Sequence, residues 1–211
     1  MIPEKEIAKK YKEIALRSFE TKLSLFLFNE SIGQDEEVKF NKTSFDNFTI
    51  SEELVNQFTS EYFQMIRIEK FQGWTIDEIY HRMKHLRDHS ESLVNDLKTK
   101  YVQDFESIFP IKDFAKLLEE KHCYYCKITL EKVSELAKKK RLYKKNERGW
   151  TLEIDRLNSN FEYTPSNCVM ACYWCNNAKT DEFTKDEFEI IGEAIKRVWE
   201  SRLGENLPFE K

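Results

Sequence analysis

Two Cys-x-x-Cys pairs, Cys123-Tyr-Tyr-Cys126 and Cys172-Tyr-Trp-Cys175, are separated by 45 residues and constrain this chain more than any other feature. Four thiolates at this spacing can close around one tetrahedral ion with bonds of about 2.3 Å. A site closed by four thiolates leaves no position for water. The spacing therefore predicts structural zinc on Cys123, Cys126, Cys172 and Cys175, contributing to the folding of the segment it joins. The alternative is two unrelated pairs of reduced, buried thiols. Cys168 is the odd thiol and reads as a small buried residue in a strand, not as a ligand. Cysteines used this way belong to a reducing compartment and argue against disulfides.

The stretch between and after the pairs carries the residues that could do chemistry. Residues 150–155 alternate, with Leu152 and Ile154 on one face and Glu153 and Asp155 on the other. Asn158-Ser-Asn160 reads as a turn, residues 168–171 as a second short strand, and residues 174–179 as a short helix opened by the second pair. Strand, turn, strand and helix can bring Asp155 and Asn176 to one divalent ion. Their hard oxygen ligands suit Mg²⁺ or Mn²⁺. Arg156 and Lys179 are expected to meet phosphates. The competing account has Asp155 capping the turn and Asn176 capping the helix.

The formal charge of the chain is −4, which by itself argues against nucleic acid. The distribution argues otherwise. Residues 127–148 hold nine Lys and Arg against three Glu. Lys138, Lys139, Lys140, Arg141, Lys144 and Lys145 form a candidate phosphate-binding run, or else a solvated helix face. Sixteen Phe and nine Tyr favour a packed chain over disorder. No apolar run is long enough to span a bilayer, and the charged first residues do not read as a signal peptide. The expectation is a cytoplasmic protein with no membrane partner.

Residues 1–108 read as a helical domain. Helices are predicted over 3–29, 51–70 and from a Thr75–Glu78 capping box to about 103, with a loop or irregular strands at 34–50. Residues 111–120 and 129–145 are expected to be helical, and a second capping box, Thr184–Glu187, opens a final helix at 185–203. His81, His85 and His89 recur every four residues on a face opposite the apolar stripe. A polar surface is the simpler account of them, with a metal or active-site role as the alternative. The fold class is thus mainly α with a small α+β module, divided into 1–108 and 109–211.

The run LEIDRLNSNFEYTPSNCVMACYWCNNAKTDEF resembles the HNH endonuclease family in its zinc-containing ββα-metal form. The shared pattern is Asp-Arg-(Ile/Leu)-(Asp/Asn), Tyr-Thr-x-x-Asn, then Cys-x-x-Cys-Asn-x-x-Lys, and it covers residues 120–185. The resemblance implies a phosphodiester hydrolase acting on nucleic acid, DNA before RNA, with Asp155 and Asn176 on Mg²⁺ or Mn²⁺ and the four cysteines on Zn²⁺. It makes Asn167 the residue that braces the loop between the strands. It also implies a setting in bacterial or phage restriction or defence, with the helical domain free to engage a protein partner. One position departs from the pattern. Arg156 stands where the family usually has the His that activates water, and Arg is a poor base. Glu153 is the preferred replacement, with Tyr163, His122 or a histidine of the helical domain as other options. A catalytically inactive zinc module that binds nucleic acid or protein is the competing function.

Overall fold

The computed structural model describes residues 2–32, 39–56, 73–142 and 149–204. Among them the chain is mainly α-helical, with one two-stranded antiparallel sheet. It divides into two compact units. A helical unit holds residues 8–109 and 160–163, and a cysteine unit holds residues 1–7, 110–159 and 164–211. No helix among the described residues is long and apolar enough to cross a membrane.

The helical unit is built on α1 (Glu4–Ser31), which enters it from residue 8. Ile14, Ala15, Ser18, Phe19 and Leu23 bury one face, and Leu25 to Phe28 are buried all round. The Phe26 ring meets Phe40, Phe45 and Phe48 at 5.1–5.4 Å between centroids. Such tilted and edge-on pairs favour the aromatic quadrupoles. Phe45 belongs to α2 (Lys42–Asn47), a helix in a stretch expected to be a loop or strands. Asn41 makes this short helix possible, because its Oδ1 accepts from the Thr43 and Ser44 amides. Of the helix expected at 51–70, residues 52–56 are helical and the Ser51 hydroxyl accepts from the Leu54 amide; the remainder lies outside the described residues.

The Thr75–Glu78 capping box is present, but the single helix expected after it is two helices, α3 (Ile76–Asp88) and α4 (Glu91–Asp104). The break at His89-Ser90 changes the phase of the buried stripe. Ile79 and Leu86 are buried in α3, and Val94, Leu97 and Tyr101 are buried in α4, leaving Leu93 half-buried. A polar relay then closes this unit. The Tyr163 amide donates to Ser18 Oγ, Ser18 shares a hydrogen with the Tyr101 hydroxyl at 2.9 Å, and Tyr101 donates to Glu162. Burial pushes the Tyr101 phenol well above its usual range, so it stays protonated and donates.

The cysteine unit packs α5 (Ile111–Leu118), α6 (Leu130–Lys138), β1 (Glu153–Arg156), β2 (Cys168–Ala171), α7 (Tyr173–Lys179) and α8 (Lys185–Leu203). Helix α5 lies on β2, α6 and α7 on α8, and α7 on β1. The helix expected over 129–145 stops at Lys138. Lys140 adopts φ 53°, a left-handed conformation that turns the chain out of the helix. Strand β1 starts at Glu153 and not at Trp150, after Gly149 at φ 98°. Its register pairs Glu153 with Ala171, Ile154 with Met170, Asp155 with Val169 and Arg156 with Cys168. Glu153 and Asp155 therefore share one face of the sheet. The Thr184–Glu187 capping box opens α8, and Phe183 and Phe188 sit 6.2 Å apart across its first turn as the staple residues.

Tyr101→Phe removes the donor to Glu162 and one partner of Ser18. Leaving buried polar atoms unsatisfied should cost about 1–3 kcal/mol, read as a lower midpoint in urea denaturation of the purified chain.

Candidate functional site

The four paired cysteines converge as their spacing predicts. All are buried, and their sulfurs lie within 4.8 Å of one another. A tetrahedron with bonds near 2.3 Å has edges of about 3.8 Å. The Cys126 and Cys172 sulfurs are 3.6 Å apart, close to such an edge. The donor set thus fits Zn²⁺. Backbone hydrogen bonds shape the first pair. The Cys123 amide donates to the Ile128 carbonyl at 2.9 Å, and the Lys127 amide to the Cys123 carbonyl at 3.0 Å, with Lys127 at φ 58°. The Tyr124 amide donates to Met170 O at 2.8 Å, tying this loop to β2. Cys172 is the N-cap residue of α7 and Cys175 lies in that helix. Cys168 stays outside the cluster. It is buried in β2, and burial pushes its thiol up to about 12, which keeps it protonated.

A second group of side chains surrounds the Glu153–Asp155 face. The Tyr125 hydroxyl donates to Asp155 Oδ2 at 2.7 Å. The Lys179 ammonium is 3.8 Å from the same oxygen and donates to the Arg156 carbonyl at 2.8 Å. Burial raises the Asp155 carboxyl above its usual range, while Tyr125 and Lys179 pull it back down. Burial, and then the bond to Asp155, raise the Tyr125 phenol, so Tyr125 is the donor in this pair. Asn176 Nδ2 donates to Glu153 Oε2 at 2.6 Å. A carboxylate only accepts, so the amide nitrogen faces Glu153 and Asn176 Oδ1 is the atom left for a cation. Asn167 grips the turn after β1: its Oδ1 accepts from the Asn158 amide and its Nδ2 donates to the Asn158 carbonyl, at 2.9 and 3.0 Å.

The other assigned residues are placed as follows. Lys179 is 1% exposed and does not reach out to a phosphate. Its charge is used inside the unit, against Asp155 and the Arg156 carbonyl, as a buried charge must be. Lys139 pairs with Glu135, and Arg141 donates to the Arg202 carbonyl, so two members of the basic run are already committed. Lys138 and Lys140 are exposed, whereas Lys144 and Lys145 lie outside the described residues. Tyr163 is buried in the helical unit, and His122 is exposed, in a bridge with Thr129. His81, His85 and His89 are exposed and, among the described residues, join no cluster of metal-ligating side chains.

Tyr125 is the residue that sequence reasoning missed, because inside Cys-x-x-Cys it reads as a spacer. One signal was available. Gly192 sits in the interior of α8, where glycine costs about 1 kcal/mol relative to alanine. A Cβ there would lie 2.8 Å from Tyr125 Cβ. The glycine lets the Tyr125 backbone approach the helix, while Phe188 meets the ring edge-on at 4.9 Å.

No family model and no curated protein matches the chain. Among solved structures it is similar to the rare-cutting HNH restriction endonuclease PacI, in a structure that concerns DNA perturbation, at 31% identity and a TM-score of 0.38. The match covers 44% of this chain and 66% of that one, just under two thirds of its length. A TM-score this low does not define the fold, which rests on the chain's own residues.

Cys123→Ser should release zinc, measured by atomic absorption, and destabilise the cysteine unit by on the order of several kcal/mol. Full zinc content with an unchanged melting transition would remove Cys123 from the ligand set.

Proposed function

We propose that the cysteine unit is a metal-dependent phosphodiesterase that cuts nucleic acid, DNA before RNA. The observation that carries this reading is the arrangement around one sheet face. Asp155 is held by Tyr125 and Lys179, Asn176 is turned by Glu153, and both lie on a strand–strand–helix element joined to the four-cysteine cluster. The 31% identity to an HNH restriction endonuclease is consistent with it. Asp155 and Asn176 Oδ1 would hold Mg²⁺ or Mn²⁺. When bound, such an ion supplies Lewis-acid stabilisation of a leaving oxygen and a more acidic water. Tyr125 and Lys179 both act on Asp155 Oδ2, fixing the carboxylate. Asn167 fixes the turn that follows β1. Glu153 shares the face of Asp155 and is the assigned base, since an Arg at position 156 is a poor base. Lys138 and Lys140 are the exposed cations assigned to DNA phosphates.

Arg156 favours a second reading, a zinc module that binds nucleic acid or a protein partner without cutting. The two separate in one assay. Purified protein should nick supercoiled plasmid with Mn²⁺ or Mg²⁺, and Asp155→Ala should abolish nicking while keeping its zinc and its fold, at a lower melting temperature because buried Lys179 loses its carboxylate. DNA binding without cutting by the folded wild type would favour the second reading. Glu153→Gln keeps an acceptor for Asn176 but removes the base, so the rate should fall by about 10²–10⁴ with the Mn²⁺ half-saturation unchanged. A weakened Mn²⁺ response instead would make Glu153 a holder of Asn176 only.

Tyr125→Phe deletes a hydrogen bond to a ligand carboxylate. It should weaken Mn²⁺ affinity, measured by calorimetry, by about 10–100-fold at unchanged zinc content. Wild-type Mn²⁺ affinity would show that Asp155 is held without it.

A further inference from the structure

The helical unit contains a cavity of about 960 Å³ that the nuclease reading does not use. Its walls come from α3, the His89-Ser90 turn and the segment before α2. Lys39, Arg82 and Lys84 bring three basic side chains to it, and Asp88 is the only acid among its described lining residues. Among the described residues, neither Lys39 nor Lys84 is in an ion pair. Four other cations of this unit do pair with carboxylates: Arg87 and Lys98 with Glu20, and Lys42 and Lys100 with Asp46. Arg82 lies 4.1 Å over the Trp74 ring, which fixes the guanidinium.

Aromatic faces stand among these charges. The His85 and His89 rings stack at 3.8 Å with 24° between their planes. His89 Nδ1 lies 2.9 Å from the His85 carbonyl and must be the donor, since the carbonyl only accepts. That bond holds the second ring in the stack. Phe40 lines the same cavity. Among the described residues the imidazoles do not form a metal trio with one another or with an acid. The volume is near the top of the ~300–1,000 Å³ range of ligand sites, far more than an inorganic phosphate fills. Cations beside flat rings are what nucleotides recognise: phosphates meet the charges and bases stack on the rings.

We infer that this cavity binds a single-stranded nucleic-acid segment, its phosphates on Lys39 and Lys84 and a base on the His85–His89 stack. The inference stands apart from cleavage and holds whether or not Asp155 supports hydrolysis.

The test is fluorescence anisotropy of a labelled single-stranded DNA oligonucleotide with the full chain carrying Asp155→Ala and no added divalent metal. Two further variants change exposed positions, His85→Ala with His89→Ala, and Lys84→Glu, each checked by its melting curve. Both should weaken Kd by about ten-fold or more, and Lys84→Glu should also flatten the salt dependence. Two results would overturn the inference. One is an unchanged Kd in both folded variants, which would leave the cavity without a strand. The other is displacement of the strand by equimolar adenosine monophosphate, which would assign the site to a free nucleotide.

Discussion

Four buried thiols brought together from two distant pairs are the contact on which the cysteine unit depends. They join the loop at 123–128 to the junction of β2 and α7, two segments with 45 residues between them. Zinc bound by such a donor set would contribute folding free energy directly. The residues inside the first pair also reach the sheet. Tyr124 bonds through its amide to β2, and Tyr125 passes between α8 and the sheet to reach Asp155. The tyrosine's position depends on the cysteines that flank it. Any reading of the Asp155 face must therefore include the thiolate cluster as its scaffold.

The charges behind that face show how a buried site is made tolerable. Lys179 and Asp155 would each be costly alone in a low-dielectric interior. Lys179 is satisfied twice, by the Arg156 carbonyl and by Asp155, and Asp155 twice, by Lys179 and Tyr125. Both contacts use Oδ2 of the carboxylate. The same economy appears at Asn176, where one carboxylate sets which end of the amide is presented. In the helical unit the pattern differs: among the described residues Lys39 and Lys84 join no ion pair, beside a stacked pair of imidazoles.

Features set by local chemistry were legible in the sequence. The spacing of the cysteines, the alternation that put Glu153 with Asp155, and the two capping boxes each depend on residues close together in the chain. Features set by distant partners were not. The Tyr125–Asp155 bond spans 30 residues and leaves no periodic trace. Lys179 at the end of a helix reads as a solvated cation until the sheet is packed against it. The division of α3 from α4 was hidden because Leu93 continues the apolar spacing, although the fold buries Val94 instead. Helix α2 is too short to generate a period, and only the Asn41 cap signals it. Lys138 was read as part of a longer basic helix; the left-handed residue at 140 ends that helix early.

X-ray absorption at the zinc edge of the purified chain would test the central claim most directly. The account predicts one zinc per chain in a single shell of four sulfurs at about 2.3 Å. A shell containing nitrogen or oxygen, or the absence of stoichiometric zinc in folded protein, would contradict the four-thiolate scaffold and the positioning of Tyr125 and Asp155 that follows from it.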